Sequence, residues 1–160
     1  TIEHCTFADD AAIAMMKSKG TGCAPTLMAF TGIRDRLGKG IYTPQVEAKV
    51  RQTLAVVGKA AAAMRKQGVN IVFGTDSGVY EHGRNAEELG QMVDLIGMTP
   101  REALASATTA AAKAMNLEND VGRIAPGYSA DMIAVDGNPL ENIRTLEKVK
   151  WVMVRGRVIN

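Results

Sequence analysis

The run Val69-Asn70-Ile71-Val72-Phe73 closes on Gly74-Thr75-Asp76-Ser77-Gly78. A short apolar run bounded by glycine reads as a buried strand, and strands of this kind belong to parallel sheets covered on both faces. The flanking glycines let backbone and ligand come close to Asp76. A carboxylate delivered at the mouth of such a strand is a candidate metal ligand or catalytic base. The same bend also suits an aspartate that only caps a turn.

The segments around this run predict a repeated strand–helix order. Thr1 to Cys5 reads as the tail of a strand. Thr6 with Asp9 signals the start of a helix over Ala8 to Lys19, with Ala12, Ile13, Met15 and Met16 on one face and Gly20 at its end. A short strand is expected over Thr21 to Leu27, Pro25 placing its end at an edge or mouth, followed by a basic, glycine-containing loop from Phe30 to Tyr42. Thr43-Pro44 starts another helix, and its periodicity through Val46, Val50, Leu54, Val57, Ala61 and Met64 lasts until Gly68. After the Asp76 loop, Asn85 is expected to cap a helix whose Glu87 and Glu88 suit the positive end of the dipole, ending at Gly97. Thr99-Pro100-Arg101-Glu102 is a capping box. This order indicates a parallel α/β architecture, in which function gathers at the carboxyl ends of strands. His4 and Asp76 both stand at such ends.

After about Asn116 the pattern changes to turns and short strands. Gly122 to Gly127 is turn-rich, Ala130 to Val135 reads as a strand, Pro139 to Leu146 as a linker with a helical turn, and Lys150 to Val154 and Val158-Ile159 as a closing hairpin about Arg155-Gly156-Arg157. These residues predict a small β subdomain with Trp151 in its core.

Composition narrows the function. Only 4% of the 160 residues are aromatic, net charge is +2, and basic residues are scattered, which argues against nucleic-acid binding. No apolar run approaches the ~20 residues of a membrane span. Cys5 and Cys23 are too few for a disulfide framework and are expected to be reduced and buried. The chain opens on Thr1 and holds only two histidines, His4 and His82, so a metal site built here alone is short of ligands.

Three stretches carry a resemblance: Ile2-Glu3-His4, Gly74 to Gly78, and Gly122-Arg123-Ile124-Ala125-Pro126-Gly127-Tyr128-Ser129-Ala130-Asp131. They resemble the carboxyl-terminal half of metal-dependent amidohydrolases, and the loop Tyr80 to Asn85 is most similar to the Xaa-Pro dipeptidase and imidazolonepropionase-like branch. The resemblance implies an α/β fold: the carboxyl-terminal part of a (β/α)8 TIM barrel over residues 1–117, and part of a small β-sandwich subdomain over 118–160. A whole barrel takes roughly 250 residues, so the amino-terminal strands and their ligands are expected to lie before Thr1.

By the same resemblance, His4 and Asp76 are ligands of one or two divalent ions, zinc or a similar metal, and Asp76 is also the catalytic base. Such an ion makes water acidic enough to attack near neutral pH and polarises the scissile carbonyl. Alone, His4 also suits a hydrogen-bonded core histidine. His82 is a candidate substrate contact or a plain surface residue, while Tyr80 and Arg84 are candidates for a substrate carboxylate. Asp131 is expected to serve a turn, and Lys39 a solvated lid edge. The expected activity is hydrolysis of peptide-like C–N bonds, with Xaa-Pro dipeptides as substrates. A cyclic amide substrate and a non-catalytic scaffold are the rivals. The expected partners are the small substrate, the missing amino-terminal barrel and further copies of the complete protein, with neither nucleic acid nor membrane. A cytoplasmic location and little activity in these 160 residues by themselves are also expected.

Overall fold

The computed structural model describes residues 1–159. Strand β1 (Ile2–Glu3) pairs in parallel with β2 (Cys23–Ala24), Ile2 opposite Cys23 and Glu3 opposite Ala24. The predicted strand 69–73 is present as an extended segment joined to β2 by a parallel bridge between Cys23 and Ile71. Val72 donates its amide to the Cys23 carbonyl at 2.8 Å. Three parallel segments thus lie side by side, and their carboxyl ends carry His4, Pro25-Thr26 and Asp76.

The described residues also form seven helices: α1 (Asp10–Lys19), α2 (Leu27–Arg34), α3 (Pro44–Leu54), α4 (Lys59–Gln67), α5 (Glu87–Ile96), α6 (Pro100–Ser106) and α7 (Thr109–Ala114). The Thr99 capping box is formed as the residues predict, and Glu102 also accepts two bonds from Arg65. Helix α5 packs against α2, α4, α6 and a 3-10 turn at Ile143–Glu147. The core between the sheet and the helices is aliphatic and sulfur-rich, with Ile13, Leu27, Met64 and Met92 almost wholly enclosed.

Several local expectations are corrected. Asp9, not Thr6, caps α1 through the Ala12 amide, and Met15 stays 65% exposed. The stretch from Leu27 to Arg34, expected as a strand end and a loop, is helix α2. The long periodic run 44–67 is two helices, parted at Gly58, where φ is 80° and an added Cβ would lie 3.2 Å from the Leu95 Cβ. Asn85 caps nothing with its side chain: α5 begins after Ala86, which is itself helical.

The carboxyl-terminal region is an antiparallel sheet of β3 (Met132–Val135), β4 (Val149–Val154) and β5 (Arg157–Val158), in that order. Arg155 (φ 49°) and Gly156 (φ 76°) turn the closing hairpin with the handedness its strands need. Asp131 accepts the Arg155 amide at 2.7 Å and pins that turn. Trp151 is only half-buried, so it does not fill a core of this sheet as expected.

Helix α2 lies hard against the loop that follows Asp76. A Cβ at Gly32 would stand 2.7 Å from the Val79 carbonyl oxygen and 2.8 Å from the Tyr80 Cβ. Backbone cannot yield there as a flexible side chain would. Gly32→Ala is therefore expected to cost about 1–3 kcal/mol, as overpacking does, read as a lower denaturation midpoint at unchanged slope.

Candidate active site

Ladder hydrogen bonds bring β1 and the 69–73 segment to either side of β2, so their carboxyl ends open on one side of the sheet. His4 leaves β1 with its amide bonded to the Ala24 carbonyl at 2.8 Å. Both His4 and Asp76 are exposed, and both line one cavity of about 390 Å3. Apart from Thr6, the remaining wall is apolar: Phe7, Ala29, Phe30, Ile33 and Val79. The imidazole meets the Phe30 ring edge-on, centroids 6.1 Å apart at 81°. Its Nδ1 is hydrogen-bonded to the Thr26 hydroxyl. A larger cavity, about 900 Å3, lies at the other ends of these segments, by Thr1, Gly22 and Asn70, and neither His4 nor Asp76 reaches it.

Backbone conformation singles out the same place. Among the described residues, six other than glycine hold a positive φ, and four of them are His4 (64°), Cys5 (52°), Thr26 (49°) and Asp76 (53°). Left-handed backbone costs a side-chain-bearing residue roughly 1–3 kcal/mol and persists where the surroundings impose it, commonly at functional sites. Aspartate and histidine adopt that conformation more readily than most residues, but cysteine and the β-branched threonine do not.

The other expected site residues fall elsewhere. Tyr80 and Arg84 line a second cavity of about 380 Å3, with Asp35, Arg36, Lys39 and Glu81, sharing Val79 with the first. The Arg84 guanidinium is gripped by Glu87 at 2.8 and 2.9 Å and reaches Asp35 at 3.4 Å. These bonds hold the Glu87 carboxyl below its ordinary range. Tyr80 is buried, its hydroxyl without a hydrogen-bond partner among the described residues. His82 stands exposed beside Ser77, 3.3 Å from its hydroxyl.

Three groups near the site carry perturbations that residue order did not reveal. Glu88 is wholly buried on α5, and burial pushes its carboxyl up to about 7 against the pull of the Leu27 and Met28 amides. Cys5 and Cys23 are buried and unoxidised as expected; the Cys5 thiol donates to the Ile2 carbonyl oxygen at 3.1 Å, the neighbouring Cys23 lowers the Cys5 thiol, and the proximity of Cys5 together with burial raises that of Cys23.

An imidazole and a carboxylate on one cavity are the nitrogen and oxygen donors that zinc takes. Their chemistry fits such an ion; their number does not complete its shell, since no cluster of three or more His, Cys, Asp or Glu donors is gathered among the described residues. No helix among these residues is long and apolar enough to cross a membrane.

The sequence pattern of the amidohydrolase family matches residues 1–159. Ochratoxinase from Aspergillus niger is 33% identical over 153 residues, covering 95% of this chain and 31% of that protein. A crystal structure described as a Xaa-Pro dipeptidase with bound methionine in the active site superposes with a TM-score of 0.93 at 36% identity, over 99% of this chain and 39% of that one. A prolidase complexed with N-methylphosphonate-L-proline gives a TM-score of 0.87 at 30% identity, over 99% and 40% of the two chains. The chain thus spans about a third to two fifths of the length of the relatives it matches. Its fold is part of the α/β barrel of such enzymes, with no closed barrel among the described residues. By sequence and by structure, the chain belongs to the amidohydrolase family.

Proposed function

We propose that this chain supplies His4 and Asp76 to the metal centre of a hydrolase acting on C–N bonds, with Xaa-Pro dipeptides as its substrates. The observation that carries this reading is the shared cavity: two donors of the right chemistry at the carboxyl ends of the two segments that flank β2, facing a largely apolar wall. The division into barrel residues 1–117 and a β subdomain 118–160 belongs to the same reading, as do a cytoplasmic location and assembly into a homo-oligomer.

When bound, a divalent cation supplies an acidified water and a Lewis acid for the carbonyl. Asp76 takes the proton from the attacking water and delivers it to the departing amine nitrogen, so the C–N bond breaks without releasing an amide anion. His4 holds its place as a neutral ligand. Phe30, Ile33 and Val79 receive an apolar side chain or a proline ring, since such groups gain most by leaving water. Tyr80, Arg84 and His82 stand at the loop beyond Asp76, where a substrate carboxylate is received. For Arg84 this requires partial release from Glu87.

The remaining metal ligands are assigned to the amino-terminal part of the barrel. Phe7 (75% exposed) and Ile2 (47% exposed) stand open beside β1, apolar surface that a further strand and helix would cover.

The test is turnover by the complete protein of Xaa-Pro dipeptides and of cyclic amides, before and after chelation. Dipeptide hydrolysis that is lost on chelation and regained with Zn2+ is expected. Turnover of cyclic amides alone would move the assignment to imidazolonepropionase-like chemistry. For the 160 residues by themselves, weak zinc binding and negligible turnover are expected. A tightly held stoichiometric zinc with peptidase activity would contradict the shared-ligand reading.

A further inference from the structure

Thr26 holds φ 49° and ψ 49°, a conformation that β-branched residues rarely adopt. The cause lies on another helix. Glu88 of α5, 0% exposed, accepts the Leu27 amide at 2.9 Å on one oxygen and the Met28 amide at 2.7 Å on the other. These are the first two amides of α2, the ones a helix leaves unpaired. Thr26 stands at the N-cap position but makes no side-chain cap. A carboxylate sixty-one residues away caps the helix instead, and the Thr26 hydroxyl is released for another contact.

That hydroxyl is buried, Thr26 being 3% exposed, and it donates to the Pro25 carbonyl oxygen at 2.8 Å. A hydroxyl has one proton, and a carbonyl oxygen can only accept. Toward the Nδ1 of His4 the Thr26 oxygen is therefore an acceptor, and Nδ1 carries the imidazole proton. Nε2 is then the nitrogen with the free lone pair. The edge-on Phe30 ring restrains the imidazole from turning.

We propose that Thr26 is a positioning residue for His4: its hydroxyl, fixed by the Pro25 carbonyl and by the Glu88-capped start of α2, holds the imidazole in the Nδ1–H tautomer with Nε2 free to bind a divalent cation. The role toward metal rests on reading His4 as a ligand; the tautomer does not. Outer-shell partners of this kind fix ring orientation and raise ligand basicity, and losing one weakens metal binding by roughly 10–100-fold.

The test uses the complete protein, metal-free and 15N-labelled at histidine, examined by long-range proton–nitrogen NMR at pH about 8.5, where ordinary imidazoles are neutral. The His4 resonances are identified by their loss in His4→Gln. Wild type is expected to show a single Nδ1–H tautomer. Thr26→Val, with the same shape and backbone demand but no acceptor, is expected to lose that single tautomer and to bind Zn2+ roughly 10–100-fold more weakly. Thr26→Ser restores both. If the valine variant folds poorly, Thr26→Gly gives the same readout, since it relieves the backbone while removing the hydroxyl. An Nε2–H tautomer in wild type, or an unchanged tautomer and Zn2+ affinity in Thr26→Val while His4→Gln lowers that affinity, would overturn the positioning role. Unchanged Zn2+ affinity in His4→Gln would instead overturn the ligand reading itself, and the metal role of Thr26 with it.

Discussion

Asp76→Asn is expected to lower turnover of the complete protein by roughly 10²–10⁴-fold, the contribution of a positioned acid–base group. Asparagine preserves nearly everything else about the residue. It has the same size, and it tolerates the left-handed φ of 53° that position 76 requires. Folding and thermal stability should therefore be close to wild type, and the loss should fall on kcat more than on KM. An amide cannot take the proton from water, and it is a weaker metal ligand than a carboxylate, so metal content should also fall. Steady-state kinetics with metal analysis on the same samples separates the two effects. Undiminished turnover would mean that Asp76 only caps its turn. It would favour a scaffold that retained the fold without the chemistry.

The second large effect concerns Glu88 and is one of stability. Glu88→Ala leaves the Leu27 and Met28 amides buried without acceptors, each costing about 1–3 kcal/mol, and opens a void beside them. A loss of roughly 3–5 kcal/mol is expected, a large fraction of the 5–15 kcal/mol typical of a domain. Urea unfolding of the variant and wild type reads it directly. The pH dependence gives an independent check. With its carboxyl raised from 4.5 to about 7 in the folded state, Glu88 stays protonated there while the unfolded chain already ionises. The folded state binds the extra proton, so stability falls as pH rises from about 4.5 to 7 and levels off above. At 1.36 kcal/mol per pH unit, the fall is about 3 kcal/mol. Glu102 acts in the opposite direction at lower pH: Arg65 and Thr99 hold it down to about 2, so its contribution is lost as pH falls from 4.5 toward 2. The wild-type profile should therefore peak near pH 5. Glu88→Gln should remove the descending limb and leave the acid limb. A wild-type curve flat between pH 5 and 7 would show that the two amides hold Glu88 ionised.

Glu88 also explains why part of the fold was legible in the residues and part was not. Helix boundaries set by adjacent groups could be read: Thr43-Pro44, the Thr99–Glu102 box, and the glycines at 20, 68 and 97 whose left-handed backbone ends α1, α4 and α5. Helix α2 could not be read. Its start lies at a threonine in left-handed conformation with no local side-chain cap, and the groups that satisfy it come from α5. A strand and a loop were the reasonable expectation for Thr21 to Tyr42. Glu88 itself looked like a residue favoured by the dipole of its own helix, because nothing beside it shows which helix it serves. The break at Gly58 was hidden for a related reason, since apolar periodicity continues across it and the close approach of Leu95 does not show in the order of residues.

The site divides in the same way. His4 and Asp76 could be picked out as candidates because an apolar run ending in a glycine-framed carboxylate, and a histidine closing a strand, are local patterns. Their meeting on one cavity depends on ladder bonds from β1 and the 69–73 segment to β2, between positions about twenty and fifty residues apart. Tyr80 and Arg84, close to Asp76 in the chain, open on a separate cavity because the loop turns beneath Gly32 of α2.

The amino-acid order by itself determined the strand–helix alternation, the helix ends closed by their own neighbours, and the two residue types able to hold a metal. Backbone geometry and short-range hydrogen bonds set these, and both act within a few residues. Only the tertiary structure decided that a buried carboxylate on α5 caps α2 and frees the Thr26 hydroxyl for His4. A buried carboxyl group is stable only where partners for its oxygens are supplied, here by distant backbone amides, and such pairing exists only once the chain is packed.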